Sequence, residues 1–239
     1  MNHSSSSVNG RYCVVIPAFN AAKTVGTLVQ DVKRQGFNVV VIDDGSEDQT
    51  AMIAAKQGVT VISHLHNLGK GMALRTGFRY ALRMAYDGVV TMDSDGQHDP
   101  AEICRFILSG EREHAGMVLG NRMATSNTMP QLRRWTNHLM SRIVSALTHQ
   151  SIPDSQCGFR LIRKEVLASV TLRSTHFEIE TELLLAASRY RWKMISVPIR
   201  TIYQQHSSYI EPIPDFWRFM QVVLRHLCSR RAQRLAKVQ

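Results

Sequence analysis

The sequence predicts an α/β fold, with a mostly parallel central sheet covered by helices on both faces. Two observations point there. Short runs of consecutive apolar residues recur at 12–16, 39–42, 59–62 and 88–92, and strands buried on both faces read as continuous rather than alternating hydrophobics. The segments between them carry helical spacing, and strand alternating with helix is the pattern of parallel strands joined by crossover helices. Ligands of such sheets gather at the carboxyl ends of the strands. That rule selects residues 17–20, 43–46, 64–70 and 93–99.

Taken in order, the run at 12–16 is a buried strand ended by Pro17. Residues 21–35 place Val25, Leu28, Val29 and Val32 on one helical face, with Gly36 as the stop. A strand at 39–42, a helix over 48–57 and a strand at 59–62 follow. The loop Asn67-Leu-Gly-Lys70-Gly71 leads into a helix over 72–86 and a strand at 88–92. The second half is less regular. A strand is expected at 117–120, a helix over 131–149 with Arg133 and Arg134 at its start, a polar loop over 154–160, a helix over 177–190 and a strand at 192–198. From 215 onward the chain reads as an amphipathic basic helix. The expected division is a flexible leader over 1–10, one domain over 11–214, and a basic helical tail over 215–239.

Composition narrows the function. The 239 residues are 44% hydrophobic and 20% charged, which is globular and excludes global disorder, collagen-like repeats and disulfide-dense mini-proteins. Twenty-nine Lys and Arg against 19 Asp and Glu give a formal charge of +10. Such a surplus favours acidic partners: nucleotides, phosphates, nucleic acid or an anionic membrane. The four cysteines are scattered, with no C-x-x-C pair, which argues against a zinc cluster and for a reducing, cytoplasmic setting. No apolar run is long enough to span a bilayer.

The segment richest in chemistry is Asp93-Ser94-Asp95-Gly96-Gln97-His98-Asp99. Two carboxylates two residues apart at a strand end can reach one hard cation, and oxygen ligands suit Mg²⁺ or Mn²⁺. A turn using Asp and Gly for local hydrogen bonding would look similar. The place of the bidentate Glu of an EF-hand is taken by Cys104, so that loop is excluded. His98 borders the carboxylates. Asp43 and Asp44 follow the second strand and can accept from a base or ribose, while Ser46 or Asp48 can cap the next helix. Asn67 to Gly71 resembles a phosphate cradle to which Lys70 adds charge; the Walker A pattern is absent.

Val14-Val-Ile-Pro17-Ala-Phe19-Asn20, Val41-Ile-Asp43-Asp44-Gly-Ser46, the Asn67 loop, Asp93-Ser94-Asp95-Gly-Gln97-His98 and Asp154-Ser-Gln-Cys-Gly158-Phe-Arg160 occur in this order. Together they resemble the family 2 glycosyltransferases of the GT-A fold, and within them the dolichyl- or polyprenyl-phosphate sugar transferases. The likeness covers about residues 11–215. It implies a UDP- or GDP-linked sugar donor, a divalent metal, and transfer with inversion to a polyprenyl phosphate or a glycan at the inner face of the membrane. By motif, Pro17, Phe19, Asp43 and Asp44 would contact the nucleotide, with Lys70, Asp93 and Ser94 beside it. Asp93, Asp95 and Gln97 would surround the metal and diphosphate, with Asp95 central to turnover. Arg122, Arg133 and Arg160 would face the acceptor phosphate. Arg200 and the segment 206–208, with Ser208, resemble a loop that closes over the donor.

The sequence departs from the family where Phe19 replaces a common Tyr and Ala21 a common Glu, which leaves the base open. Membrane helices that often follow the catalytic domain in this branch are absent. Gln131-Leu-Arg-Arg134-Trp135 matches the box of processive synthases but precedes the Asp154 region instead of following it. Trp135 otherwise reads as a helix core residue whose arginines form the wet face. An acceptor phosphate is already anionic and needs no base, whereas a sugar hydroxyl would need one, for which Asp154 is the candidate. The rivals are a nucleotidyltransferase, which would open with a Gly-rich basic loop, and a non-catalytic nucleotide-binding adaptor, which would lose the acids. The basic C-terminal helix suits an anionic membrane surface; no motif supports nucleic-acid binding. Oligomeric state is not legible.

Overall fold

The structure, a computed structural model, describes residues 10–124, 131–200 and 212–235, with the side chains of 133, 212, 213, 215 and 229–235 outside the description. A seven-stranded sheet forms the centre. Its strands are β1 (Tyr12–Ala18), β2 (Asn38–Asp43), β3 (Thr60–Ser63), β4 (Gly88–Thr91), β5 (Met117–Asn121), β6 (Arg160–Arg163) and β7 (Met194–Pro198), in the spatial order β3-β2-β1-β4-β6-β5-β7. β6 alone runs antiparallel, between β4 and β5. The helices are α1 (Val25–Arg34), α2 (Thr50–Lys56), α3 (Lys70–Arg83), α4 (Ile103–Arg112), α5 (Gln131–Thr148), α6 (Lys164–Ser169), α7 (Ile179–Arg189) and α8 (Pro212–Leu235).

β1 and β2 are buried almost without a break, as central strands covered on both faces must be. Val15, Val40, Ile42 and Val89 pack with α3, α5, α7 and α8 on one face. Val14, Ile16, Val41 and Val90 pack with α1 and α4 on the other. β1 runs through Pro17 to Ala18, two residues past the expected strand end at 16. Ala18 carbonyl accepts from Asp44 on the β2 side and Val15 carbonyl from Met92 on the β4 side. By alternation Pro17 faces β4, beyond the last β4 residue, so its missing N–H interrupts no pair within the strands.

Four expectations are corrected. Helix α1 begins at Val25 rather than 21; a turn precedes it, in which the Ala21 carbonyl accepts from the Thr24 and Val25 amides and the amides of Ala21 and Ala22 donate to Thr50 Oγ1 and Asp48 Oδ2, at 2.7 and 3.1 Å. The polar loop ends at Arg160, which opens β6; β6, α4 and α6 were not expected. α8 starts at Pro212 and sends Phe219, Val222 and Val223 into the main core, so position 215 marks no separable tail. Trp135 is not a core residue: it stands exposed, and α5 buries Asn137, Ser141, Val144 and Thr148 instead. No helix among the described residues is long and apolar enough to cross a membrane.

Candidate active site

The parallel register sets Ala18 beside Asp43 and Val15 beside Thr91, so the loops after β1, β2 and β4 leave the sheet as neighbours. Thr24 Oγ1 donates to Ser94 carbonyl at 2.6 Å, joining the first loop to the third. Asn20 amide donates to Ser46 Oγ at 2.9 Å, joining the first to the second. Pro17 is buried and Phe19 half-buried at this junction.

The two adjacent acids face different tasks. Asp43 is buried, and its Oδ1 has no hydrogen-bond partner. A buried acceptor is expected to be satisfied, so Asp43 is open to a donor from a ligand. Asp44 is fully engaged within the protein. It accepts from the Leu68 amide at 3.1 Å and the Gly69 amide at 2.8 Å, and it lies 2.6 Å from His64 Nδ1. The anion in the Asn67 loop is therefore the protein's own carboxylate, and the phosphate-cradle reading is corrected. The glycines serve close packing. Gly69 sits at φ +93 and an added Cβ would stand 2.4 Å from Thr175 carbonyl oxygen; at Gly71 it would stand 2.6 Å from Thr175 carbonyl carbon.

Lys70 begins α3 and bridges two carboxylates, Asp93 at 2.6 Å and Glu180 at 2.7 Å, beneath the Phe177 ring. Burial alone would lower its ammonium, but the two carboxylates outweigh it and hold it above the ordinary lysine value. Burial likewise works to raise Asp93, yet Lys70 and then His98 hold it well below the usual carboxylate range. Asp93 is pressed against Gly158, where a Cβ would lie 2.5 Å from both its oxygens. Glu180 is the residue of this cluster that sequence reading missed. The signal was an acidic Glu178, Glu180, Glu182 series opening an otherwise apolar helix.

Asp95 is half-buried, with Oδ1 accepting from the Gln97 amide at 3.0 Å. Ser94 and Gln97 are half-buried beside it. His98 is buried, stacked on Phe159 at 5.3 Å, with Nδ1 unpartnered. Burial pulls its pKa below the ordinary histidine value against the opposing pull of Asp93 and Asp95. Among the described residues no three His, Cys, Asp or Glu side chains converge as a ready-made metal cluster. The oxygens of Asp95, Asp93 and Gln97 are the hard donor set that Mg²⁺ or Mn²⁺ takes when substrate oxygens complete the shell. The residues therefore fit such an ion.

The acceptor-side residues are corrected most. Asp154 accepts Arg122 Nε at 2.8 Å, Arg122 Nη2 at 3.0 Å, the Arg122 amide at 3.1 Å and Asn137 Nδ2 at 2.9 Å. Burial would raise this carboxyl, but the Arg122 charge and hydrogen bonds hold it low. A carboxylate so occupied is no general base. Arg160 is buried and donates to three backbone carbonyls, Cys157, Glu180 and Ser155, each at 2.7 Å. It is a brace between loops rather than a lining residue. Arg200 lies exposed just past β7. The Arg133 side chain, Ser208 and segment 206–208 lie outside the described residues.

The family model described as Glycosyl transferase family 2 matches residues 13–171. The chain is 36% identical over 200 residues to an uncharacterized protein of Methanocaldococcus jannaschii, covering 81% of this chain and 82% of the relative. It is 31% identical to the UDP-N-acetylglucosamine–dolichyl-phosphate N-acetylglucosaminyltransferase of Methanococcus voltae, covering 81% and 86%. It is 28% identical to the polyprenol monophosphomannose synthase of Mycolicibacterium smegmatis, covering 79% and 76%. Among solved structures, glucosyl-3-phosphoglycerate synthase from Mycobacterium tuberculosis, in complex with Mn²⁺, UDP and phosphoglyceric acid, superimposes with a TM-score of 0.67 at 19% identity, over 94% of this chain and 80% of that one. That likeness carries the GT-A fold.

Proposed function

The chain belongs to glycosyl transferase family 2, and from that premise we propose that it moves a sugar, with inversion, from a nucleotide-sugar donor to a polyprenyl phosphate at the cytoplasmic face of a membrane. The observation that carries this reading is the state of the carboxylates. Asp154 and Asp44 are saturated by protein donors, and Asp93 and Glu180 are tied to Lys70. Asp95 is the acid best placed for the donor diphosphate, and Asp43 for the nucleoside. Among the described residues of the site, no carboxylate is then left over to deprotonate a hydroxyl. A phosphate monoester is anionic at neutral pH and needs no base, in keeping with relatives whose names specify dolichyl or polyprenol phosphate acceptors.

In this mechanism an acceptor phosphate oxygen attacks the anomeric carbon, and the bond from that carbon to the donor diphosphate breaks. The electron pair leaves on the nucleoside diphosphate, and no proton moves. Asp43 receives a donor group of the nucleoside; Lys70 fixes Asp93 beneath the diphosphate. A divalent cation held by Asp95, Gln97 and Asp93 would supply charge neutralisation of the leaving group. The test is donor-dependent release of nucleoside diphosphate in the presence of Mn²⁺ with a short polyprenyl phosphate and, separately, the matching polyprenol. Turnover with the phosphate and none with the alcohol is expected. Equal turnover with the alcohol would restore a general base and sink the reading.

A further inference from the structure

Helix α5 carries apolar side chains on both its inward and its outward face. Its inward face carries Asn137, Ser141, Val144 and Thr148, spaced to lie on one side of the helix. Asn137 Nδ2 reaches Asp154, and Ser141 Oγ lies 3.1 Å from Ser155 Oγ, so the first half of the buried side makes polar contacts to the Asp154 loop, while Met140, Ile143, Val144 and Leu147 pack on the main core. The opposite side carries Leu132, Trp135 and Leu139, exposed at 71%, 65% and 37%, followed by exposed Ala146. Exposed Arg134, His138 and Arg142 flank this stripe, and the helix contains no acidic residue. On the same side of the sheet, α8 also packs on α7 and turns Trp217 and Leu224 outward, seven residues apart.

A row of large apolar side chains with an indole at its middle and cations along its border is unfavourable in water and suits the boundary between lipid headgroups and acyl chains. We infer that the outward face of α5 (Leu132, Trp135, Leu139) docks the protein on an anionic lipid bilayer, with Arg134 and Arg142 against the headgroups. Charge decides against a second copy of this chain, since a pair related by symmetry would press two acid-free, basic faces together. An anionic bilayer supplies the opposite charge. The inference deepens the lipid-acceptor reading, because the opposite face of the same helix carries Asn137, which hydrogen-bonds Asp154 of the Asp154–Arg122 pair, but it is tested without turnover.

The experiment is cosedimentation of the full chain with vesicles of phosphatidylcholine alone or with phosphatidylglycerol, at low and moderate salt. Wild type should sediment with the anionic vesicles, with blue-shifted tryptophan emission and binding that weakens as salt rises. Trp135→Glu should lower the partition by about tenfold or more, while Trp135→Phe retains it. Unchanged melting temperatures keep loss of fold apart from loss of docking. Wild type that stays in solution, or Trp135→Glu that binds equally, overturns the inference. So does self-association abolished by Trp135→Glu without vesicle binding, which would assign the face to a second copy. Turnover with a water-soluble short-chain polyprenyl phosphate is measured in parallel. Its failure in wild type would remove the transferase reading and leave the vesicle result standing.

Discussion

Arg122 and Asp154 form a buried two-point ion pair, Nε to Oδ2 at 2.8 Å and Nη2 to Oδ1 at 3.0 Å. The arginine that the sequence assigns to an acceptor phosphate already grips an internal carboxylate. Removing one partner leaves a buried charge uncompensated, which typically costs about 3–5 kcal/mol. Asp154→Asn should therefore lower the melting temperature by many degrees and reduce turnover through loss of fold. The Asp154 pKa is depressed in the folded state. The stability it contributes is present above the unfolded carboxyl value near about pH 4 and lost as pH falls through the lower folded value. Melting curves taken from neutral pH downward should show that acid-side loss in wild type and a smaller one in Asp154→Asn.

Gly158 and Asp93 give a second prediction. A Cβ at 158 would meet both Asp93 oxygens at 2.5 Å, so Gly158→Ala must push the carboxylate away from Lys70 or move the loop. Thr91 Oγ1 donates to Gly158 carbonyl at 2.6 Å and holds the loop in place. The expected result is weaker donor binding, read as a raised KM for the nucleotide sugar, with a modest fall in melting temperature. An unchanged KM would mean that Asp93 takes no part in holding the donor.

Sequence reading succeeded where chain-local chemistry coincides with tertiary role. The continuous apolar runs that became β1, β2 and β4 had to be buried strands, and acids at their ends had to share one rim. It failed where a polar residue's partner is distant in sequence. Asp154 with Arg122, Arg160 with the carbonyl of Glu180, and Lys70 with Glu180 each span separate elements. An arginine next to a conspicuous motif looks the same in sequence whether it holds a ligand or a loop. β6 was missed because four residues with arginine at both ends carry little strand signal; α4 was missed although Ile103, Phe106, Ile107 and Gly110 carry a plain helical stripe.

The thiols offer a check on burial. Cys13 and Cys157 are buried, and burial pushes both up to about 12. Their thiolate populations at pH 8 are negligible, and the thiolate is the nucleophile. Cys228 is exposed on α8. A thiol reagent such as Ellman's should modify Cys228 first in the native protein, Cys104 more slowly, and Cys13 and Cys157 only after denaturant is added. Rapid reaction of Cys157 would show that the Asp154–Arg160 loop opens readily.

The two acids of the Asp93-Ser94-Asp95 motif should separate by experiment. Asp93 is tied to Lys70, so Asp93→Asn breaks a partly buried pair and should destabilise the protein whether or not nucleotide is present. Asp95 makes one local hydrogen bond, from the Gln97 amide, so Asp95→Asn should change stability by only about 0.5 kcal/mol or less. Its effect should fall on binding. Ligand at a hundred times its Kd stabilises a protein by about 2.7 kcal/mol, and in wild type a part of that gain from nucleoside diphosphate should require Mn²⁺. Thermal shifts of Asp95→Asn should lose the Mn²⁺-dependent part and keep the metal-free part, with turnover abolished. A full Mn²⁺-dependent shift in this variant would move the cation site away from Asp95.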